Sequence, residues 1–191
     1  MRKIIGIDID GTINNFIEVF IKYFKNLTGE TLTKEDIDSW YLADVISRKF
    51  GDKIDKNIVT TIYQNEEFLM ELKLLENIKN TLGKVLKEDK FELKFVTALG
   101  KKELEPIRDK WLKRELEDLN IEVVYETNKS KVKMNYLIDD ALHNLDDLSP
   151  IIGQDNCICI KHLYNKTSKY IRVNDLEEGF KYIYKKEKMN Y

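Results

Sequence analysis

Apolar residues gather in short runs at Lys3–Ile9, Phe91–Thr97, Ile121–Tyr125, Met134–Asp139, Cys157–Ile160 and Tyr170–Val173. Each run is rich in β-branched or aromatic side chains, which predicts a β-strand. Most are separated by stretches whose apolar residues recur three and four apart. The clearest covers Lys101–Asp118, where Leu104, Ile107, Trp111 and Leu112 stand among charged neighbours, so Trp111 is read as core. A second helix is expected from Asn14 to Thr28, with Phe16, Val19, Phe20, Tyr23 and Phe24 as its apolar stripe. Strands alternating with helices predict an α/β fold: a parallel sheet covered by helices on both faces.

The spacing is uneven in one place. About 80 residues separate the first two strands, far more than one crossover helix needs. The surplus has helical patterning, aromatics at Trp40, Tyr41, Tyr63 and Phe68, and few β-branched runs. It predicts a small helical cap over residues 15–75, inserted after the first strand of a core made of residues 1–14 and 76–191.

Chemistry concentrates where the strands end. The first strand closes in Asp8-Ile9-Asp10-Gly11-Thr12. Residues two apart on an extended chain project to the same side, so Asp8 and Asp10 can face one reacting group. Two such carboxylates repel unless a cation neutralises one and a proton sits on the other, which separates a nucleophile from a general acid. An EF-hand loop is excluded because glycine stands fourth, not sixth, and a strand precedes it. Asp and Gly also form ordinary turns, but further polar strand ends favour a functional site. Phe95-Val96-Thr97 ends in a hydroxyl, Lys129 or Lys131 supplies a cation before the fourth strand, and Leu137-Ile138-Asp139-Asp140 ends in paired acids. The carboxyl ends of parallel strands share one edge, so these elements should converge.

In this order the motifs resemble those of the haloacid-dehalogenase-like phosphohydrolase superfamily, whose fold is a Rossmann-like parallel sheet. More narrowly the chain is similar to the 5′(3′)-deoxyribonucleotidase (cytosolic type C nucleotidase) family. That likeness rests on Asn128-Lys129-Ser130 followed by Tyr136-Leu137-Ile138-Asp139-Asp140, on the Trp111-Leu112 helix, and on Leu163-Tyr164-Asn165-Lys166. The resemblance implies an Mg²⁺-dependent phosphomonoesterase acting on nucleoside monophosphates through an aspartyl phosphate. Asp8 would be the nucleophile and Asp10 the general acid and base, while Thr97 and Lys129 would bind the phosphoryl group. Mg²⁺ would be held by Asp8, the Asp10 carbonyl and Asp140 directly, with Asp139 in support. Phe16, Trp40 and Tyr41 would be the candidates to stack on a base, although an aromatic stripe on a helix usually packs inward as core.

Other activities remain to be separated. A dehalogenase would need neither Asp10 nor the Asp139-Asp140 pair. A phosphatase of another small metabolite, such as a sugar phosphate, would share every catalytic residue and differ in its cap. A binding or regulatory module on the same fold would have no need to keep all the acids.

Composition narrows the partners. The chain has 191 residues, 42% of them hydrophobic, and a net charge of −2 from 32 Lys and Arg against 34 Asp and Glu. The signs are interspersed, so neither nucleic acid nor a membrane surface is an expected partner, and the expected one is a small phosphomonoester. No apolar run approaches the roughly 20 residues of a membrane span, and the expected location is the cytoplasm. A homodimer is left open. Cys157 and Cys159 should be buried thiols on one face of a strand, and His143 and His162, without neighbours at zinc spacing, structural or solvent-facing.

Overall fold

The computed structural model describes residues 2–117 and 119–191. Six strands form one parallel sheet: β1 (Lys3–Ile7), β2 (Phe91–Thr97), β3 (Glu122–Tyr125), β4 (Tyr136–Asp139), β5 (Cys157–Ile160) and β6 (Ile171–Val173). Their order is β3-β2-β1-β4-β5-β6, so the chain changes direction across the sheet next to β1. In open sheets of this kind the crevice for ligands lies at that switch, outside the carboxyl ends of the strands. Asp8 stands there, just past β1, its amide still bonded to Ile138 O at 2.9 Å.

The two-residue period of the strands sorts their side chains into two layers. Ile5 and Ile7 of β1, Phe91, Leu93 and Phe95 of β2, Tyr136 and Ile138 of β4, and Ile158 and Ile160 of β5 enter the larger core. There they meet α5 (Ile78–Glu88), α6 (Glu105–Leu116) and α8 (Leu176–Lys186), through residues such as Leu82, Trp111 and Phe180. Val96, Leu137, Cys157 and Cys159 enter the smaller layer beneath α7 (Leu142–Ile152), against Leu145 and Leu148. The strands read as near-continuous apolar runs because both faces are covered. Both cysteines are free and buried, and burial pushes each thiol up to about 11, which keeps them unreactive.

Between β1 and β2 the chain forms α1 (Phe16–Thr28), α2 (Leu42–Phe50), α3 (Ile58–Tyr63) and α4 (Glu66–Glu71). Phe16, Val19, Phe20 and Phe24 of α1 are buried, as the stripe predicts, and Gly29 ends the helix at φ 75°. The helix begins later than expected. Asn14 and Asn15 instead belong to an extended crossing segment paired antiparallel with the returning chain, through an Asn14–Leu74 bridge, Asn15 N to Lys73 O at 3.0 Å and Leu75 N to Ile13 O at 2.9 Å. On the returning side, Leu72 O accepts from Trp111 Nε1 at 2.7 Å and from Arg114 Nη2 at 3.1 Å. The predicted Lys101–Asp118 helix opens with a 3₁₀ turn over Lys102–Leu104 before α6, and Asp118 lies outside the described residues.

Trp111 is fully buried. Trp111→Phe keeps most of its apolar contact and removes the N–H donor, so we expect a loss of roughly 1–3 kcal/mol in urea unfolding. An unchanged midpoint would mean that Arg114 alone satisfies the Leu72 carbonyl.

Candidate active site

Asp8, Asp10, Thr97, Lys129, Asp139 and Asp140 line one cavity of about 380 Å³, together with Phe16 and Trp40. Separate strand ends deliver Asp8, Thr97 and the Asp139-Asp140 pair, as the motif order predicted. Gly11 makes the close approach possible: it turns at φ +80°, and a Cβ there would lie 2.8 Å from an Asp140 oxygen.

At the floor, the buried Lys129 ammonium bonds to Asp8 and, at 2.7 Å, to Asp139 Oδ2. Burial alone would lower the Lys129 pKa, but Asp139 and Asp8 outweigh it and hold the pKa above the usual lysine value. The carboxylates respond oppositely. Burial pushes Asp8 well above the usual range, with Lys129 pulling it back and Asp139 and Asp140 raising it further. Asp140 is pushed up to about 7, first by burial and then by Asp139.

The Asp139 carboxylate is heavily engaged, accepting from Ala141 N at 2.8 Å and Asn144 Nδ2 at 3.0 Å besides Lys129. Asp140 accepts from the Tyr164 hydroxyl and, at 3.4 Å, from Thr12 Oγ1. Oxygens of Asp8, Asp139 and Asp140 lie within 4.8 Å of one another. Three buried carboxylates around one ammonium leave negative charge in excess, and an all-oxygen donor set fits a hard divalent cation. Haloacid-dehalogenase-like hydrolases generally use one.

A turn decides which lysine enters the cavity. Asn128 Oδ1 accepts from Ser130 N at 3.1 Å, closing a 3₁₀ turn over Lys129–Lys131. That turn sends Lys129 inward and Lys131 to the surface, where it lies 3.9 Å from Glu126.

Arg108, Asn14 and His162 stand at the site outside the motifs. Arg108, fully buried on α6, bonds through Nη2 to both Asp10 oxygens, at 2.9 and 2.7 Å, and Asn14 Nδ2 donates to Asp10 Oδ1 at 2.8 Å. A signal for Arg108 existed: it stands four residues from both Leu104 and Leu112, in the inward stripe of the helix. His162, half-buried, is structural as expected. Burial lowers its pKa, and the neutral ring donates from Nε2 to Gly11 O at 2.7 Å while stacking on Tyr164 at 4.8 Å. Asn165 Nδ2 bridges Asp140 O at 2.8 Å and Ile160 O at 2.7 Å.

The aromatic candidates separate. Phe16 is buried, as its stripe implies, and stacks on Tyr63 at 5.2 Å. Trp40 and Tyr41 are 41% and 58% exposed, which overturns their reading as core. They precede α2, whose inward positions are Leu42, Val45 and Ile46. Trp40 meets His143 edge-on at 4.4 Å across the mouth of the cavity, whereas Tyr41 packs outside on Trp40 and does not line it.

The sequence model of the family described as 5′ nucleotidase, deoxy (Pyrimidine), cytosolic type C protein matches residues 2–188. The chain belongs to this family. Membership makes it a phosphoric monoester hydrolase with a haloacid-dehalogenase-like fold. Among relatives of this chain, the 5′(3′)-deoxyribonucleotidase of Clostridium acetobutylicum is 23% identical over 180 residues, spanning 93% of each chain. That of Bacillus subtilis is 24% identical over 93% of this chain and 96% of its own. A haloacid dehalogenase-like hydrolase from Streptococcus pneumoniae superposes with a TM-score of 0.65 at 13% identity, covering 95% of this chain and 98% of its own. A HAD family hydrolase from Deinococcus radiodurans, solved with bound phosphate and sodium, also reaches 0.65, at 8% identity over 94% and 93%. These two share the fold. Among the described residues no helix is long and apolar enough to cross a membrane.

Proposed function

We propose that this phosphatase is an Mg²⁺-dependent, cytoplasmic 5′-nucleotidase that hydrolyses (deoxy)nucleoside monophosphates through an aspartyl phosphate. The observation that carries the reading is the buried Asp8–Lys129–Asp139 chain beside Asp140, at the floor of a cavity whose mouth holds an exposed tryptophan. Asp8 attacks phosphorus and forms the acyl phosphate as the bond to the leaving oxygen breaks, and Asp10 gives that oxygen its proton. Asp10 then takes a proton from the water that attacks the phosphoenzyme, releasing inorganic phosphate and restoring Asp8. Thr97 and Lys129 hold the phosphoryl oxygens, with Lys129 offsetting their growing charge. Asp8, the Asp10 carbonyl and Asp140 would hold Mg²⁺, with Asp139 orienting the set. Bound there, the cation supplies positive charge beside the phosphoryl oxygens.

In this reading residues 15–75 act as the cap, and Trp40, with Phe16 on the same cavity lining, faces the base. Stacking contributes on the order of 1–3 kcal/mol per base, so Trp40→Ala should lower kcat/KM on nucleoside monophosphates by roughly one to two decades. p-Nitrophenyl phosphate, which has no base to place there, should be affected far less. An equal fall on both substrates would remove Trp40 from base recognition. Phosphate release from a panel of deoxynucleotides, ribonucleotides and sugar phosphates, with and without Mg²⁺, tests the whole assignment. Sugar phosphates outperforming every nucleotide would overturn the nucleotidase reading.

A further inference from the structure

Arg108 is fully buried, yet only one of its three nitrogens is used. Nη2 contacts both oxygens of Asp10, while Nε and Nη1 are buried without hydrogen-bond partners among the described residues. A guanidinium kept for stability alone is normally satisfied on most of its donors. Here its one polar partner is the carboxylate assigned to proton transfer. The guanidinium also lies 5.2 Å from the centre of the Trp111 ring, which fixes its place in the core.

The same helix reaches the cap. Trp111 and Arg114, one and two turns beyond Arg108, both bind Leu72 O on the returning crossing segment. On the outgoing segment, Asn14 donates to Asp10 Oδ1, and its own Oδ1 accepts from Gly11 N and Phe16 N, each at 3.2 Å. Both segments that join the helical insert to the sheet are thus connected to one carboxylate, one through Asn14 and the other through α6.

We propose that Arg108 is a positioning residue for Asp10: with Asn14 it sets the direction of the carboxylate and couples it to the segments that carry the cap. The proposal rests on the reading of Asp10 as general acid and base. An aspartate on a turn has two free side-chain torsions, and a proton delivered to a leaving oxygen needs that freedom removed. Arg108 acts only through Asp10, being too buried to touch substrate.

The test compares Arg108→Met, Arg108→Lys and Asp10→Asn on thymidine 5′-monophosphate, whose alkoxide leaving group needs a proton, and on p-nitrophenyl phosphate, whose phenolate needs little help. Arg108→Met should slow release of the leaving group in a single turnover by about tenfold to a hundredfold with the nucleotide and far less with p-nitrophenyl phosphate, with substrate affinity within about threefold, while the water attack common to both substrates slows equally. Arg108→Lys, which keeps one charged donor, should recover part of the loss. In an Asp10→Asn background the Lys substitution should have no further effect, and this cycle decides the matter even if the Met variant fails to fold. Equal losses of the leaving-group step on both substrates, a loss confined to affinity, or an undiminished Lys effect in the Asp10→Asn background would overturn the positioning role alone. Normal nucleotide turnover by Asp10→Asn would overturn the reading of Asp10, and the Arg108 proposal with it.

Discussion

Asp8→Asn is expected to abolish phosphate release, by roughly four decades or more, while leaving the protein folded. Asparagine fills the same space, but its amide cannot attack phosphorus to form an acyl phosphate. The fold should tolerate the exchange because burial already disfavours charge at this position, and the amide oxygen can still accept from Lys129. The melting temperature should therefore hold or rise. Circular dichroism and single-turnover phosphate release on the same sample would measure both. Substantial turnover by a folded Asp8→Asn protein would reject Asp8 as the nucleophile.

Removing divalent cation should have an effect as large on turnover and a distinctive one on stability. Without metal, burial first and Asp139 next push the Asp140 carboxyl up to about 7, well above the ordinary carboxylate range. A group whose pKa is raised in the folded state contributes stability that is complete below its unfolded value. That contribution is lost as pH rises through the folded value. In excess chelator, thermal stability from this site should thus decline between about pH 4 and 7. Mg²⁺ competes with the proton, so its stabilising effect should grow across the same window, reaching about 2.7 kcal/mol at a hundredfold excess over Kd. Melting curves at pH 5 and pH 8, with chelator and with Mg²⁺, measure the difference. A metal-induced shift equal at both values would place the cation elsewhere, and full turnover after exhaustive chelation would remove it from the reaction.

The strands were readable from sequence because both faces of the sheet are covered, so each appears as an unbroken apolar run with polar ends. β2 and β5 match their predicted bounds, and β3 begins one residue late. β1 stops at Ile7 instead of Ile9 because the chain must turn for Gly11 to approach Asp140. The convergence of Asp8, Thr97 and Asp139-Asp140 followed from sheet geometry, whereas the choice of Lys129 over Lys131 rested on the family resemblance. Arg108 followed from neither, since a charged residue in a helix full of charges draws no notice unless its position in the stripe is weighed. Trp40 and Tyr41 failed for another reason: periodicity assigns an inward face only within a helix, and they stand in the connection before one. Gly11 and Asp140 are held by His162, Tyr164 and Asn165, which come from a loop after β5 and are joined to them only by tertiary hydrogen bonds. The run Leu163-Tyr164-Asn165-Lys166 was singled out by the family resemblance, but no local pattern encodes the contacts it makes.

The pairing of Ile13–Asn15 with Lys73–Leu75 places the two ends of the helical insert side by side. The sheet is therefore indifferent to how many residues lie between them, because closing a longer loop across a fixed gap costs little more entropy than closing a shorter one. A replacement segment of different length need only begin and finish on the same short ribbon. On the proposed reading of the insert as a cap, substrate range should then shift when it is exchanged as a cassette, with the strand ends and their carboxylates left untouched.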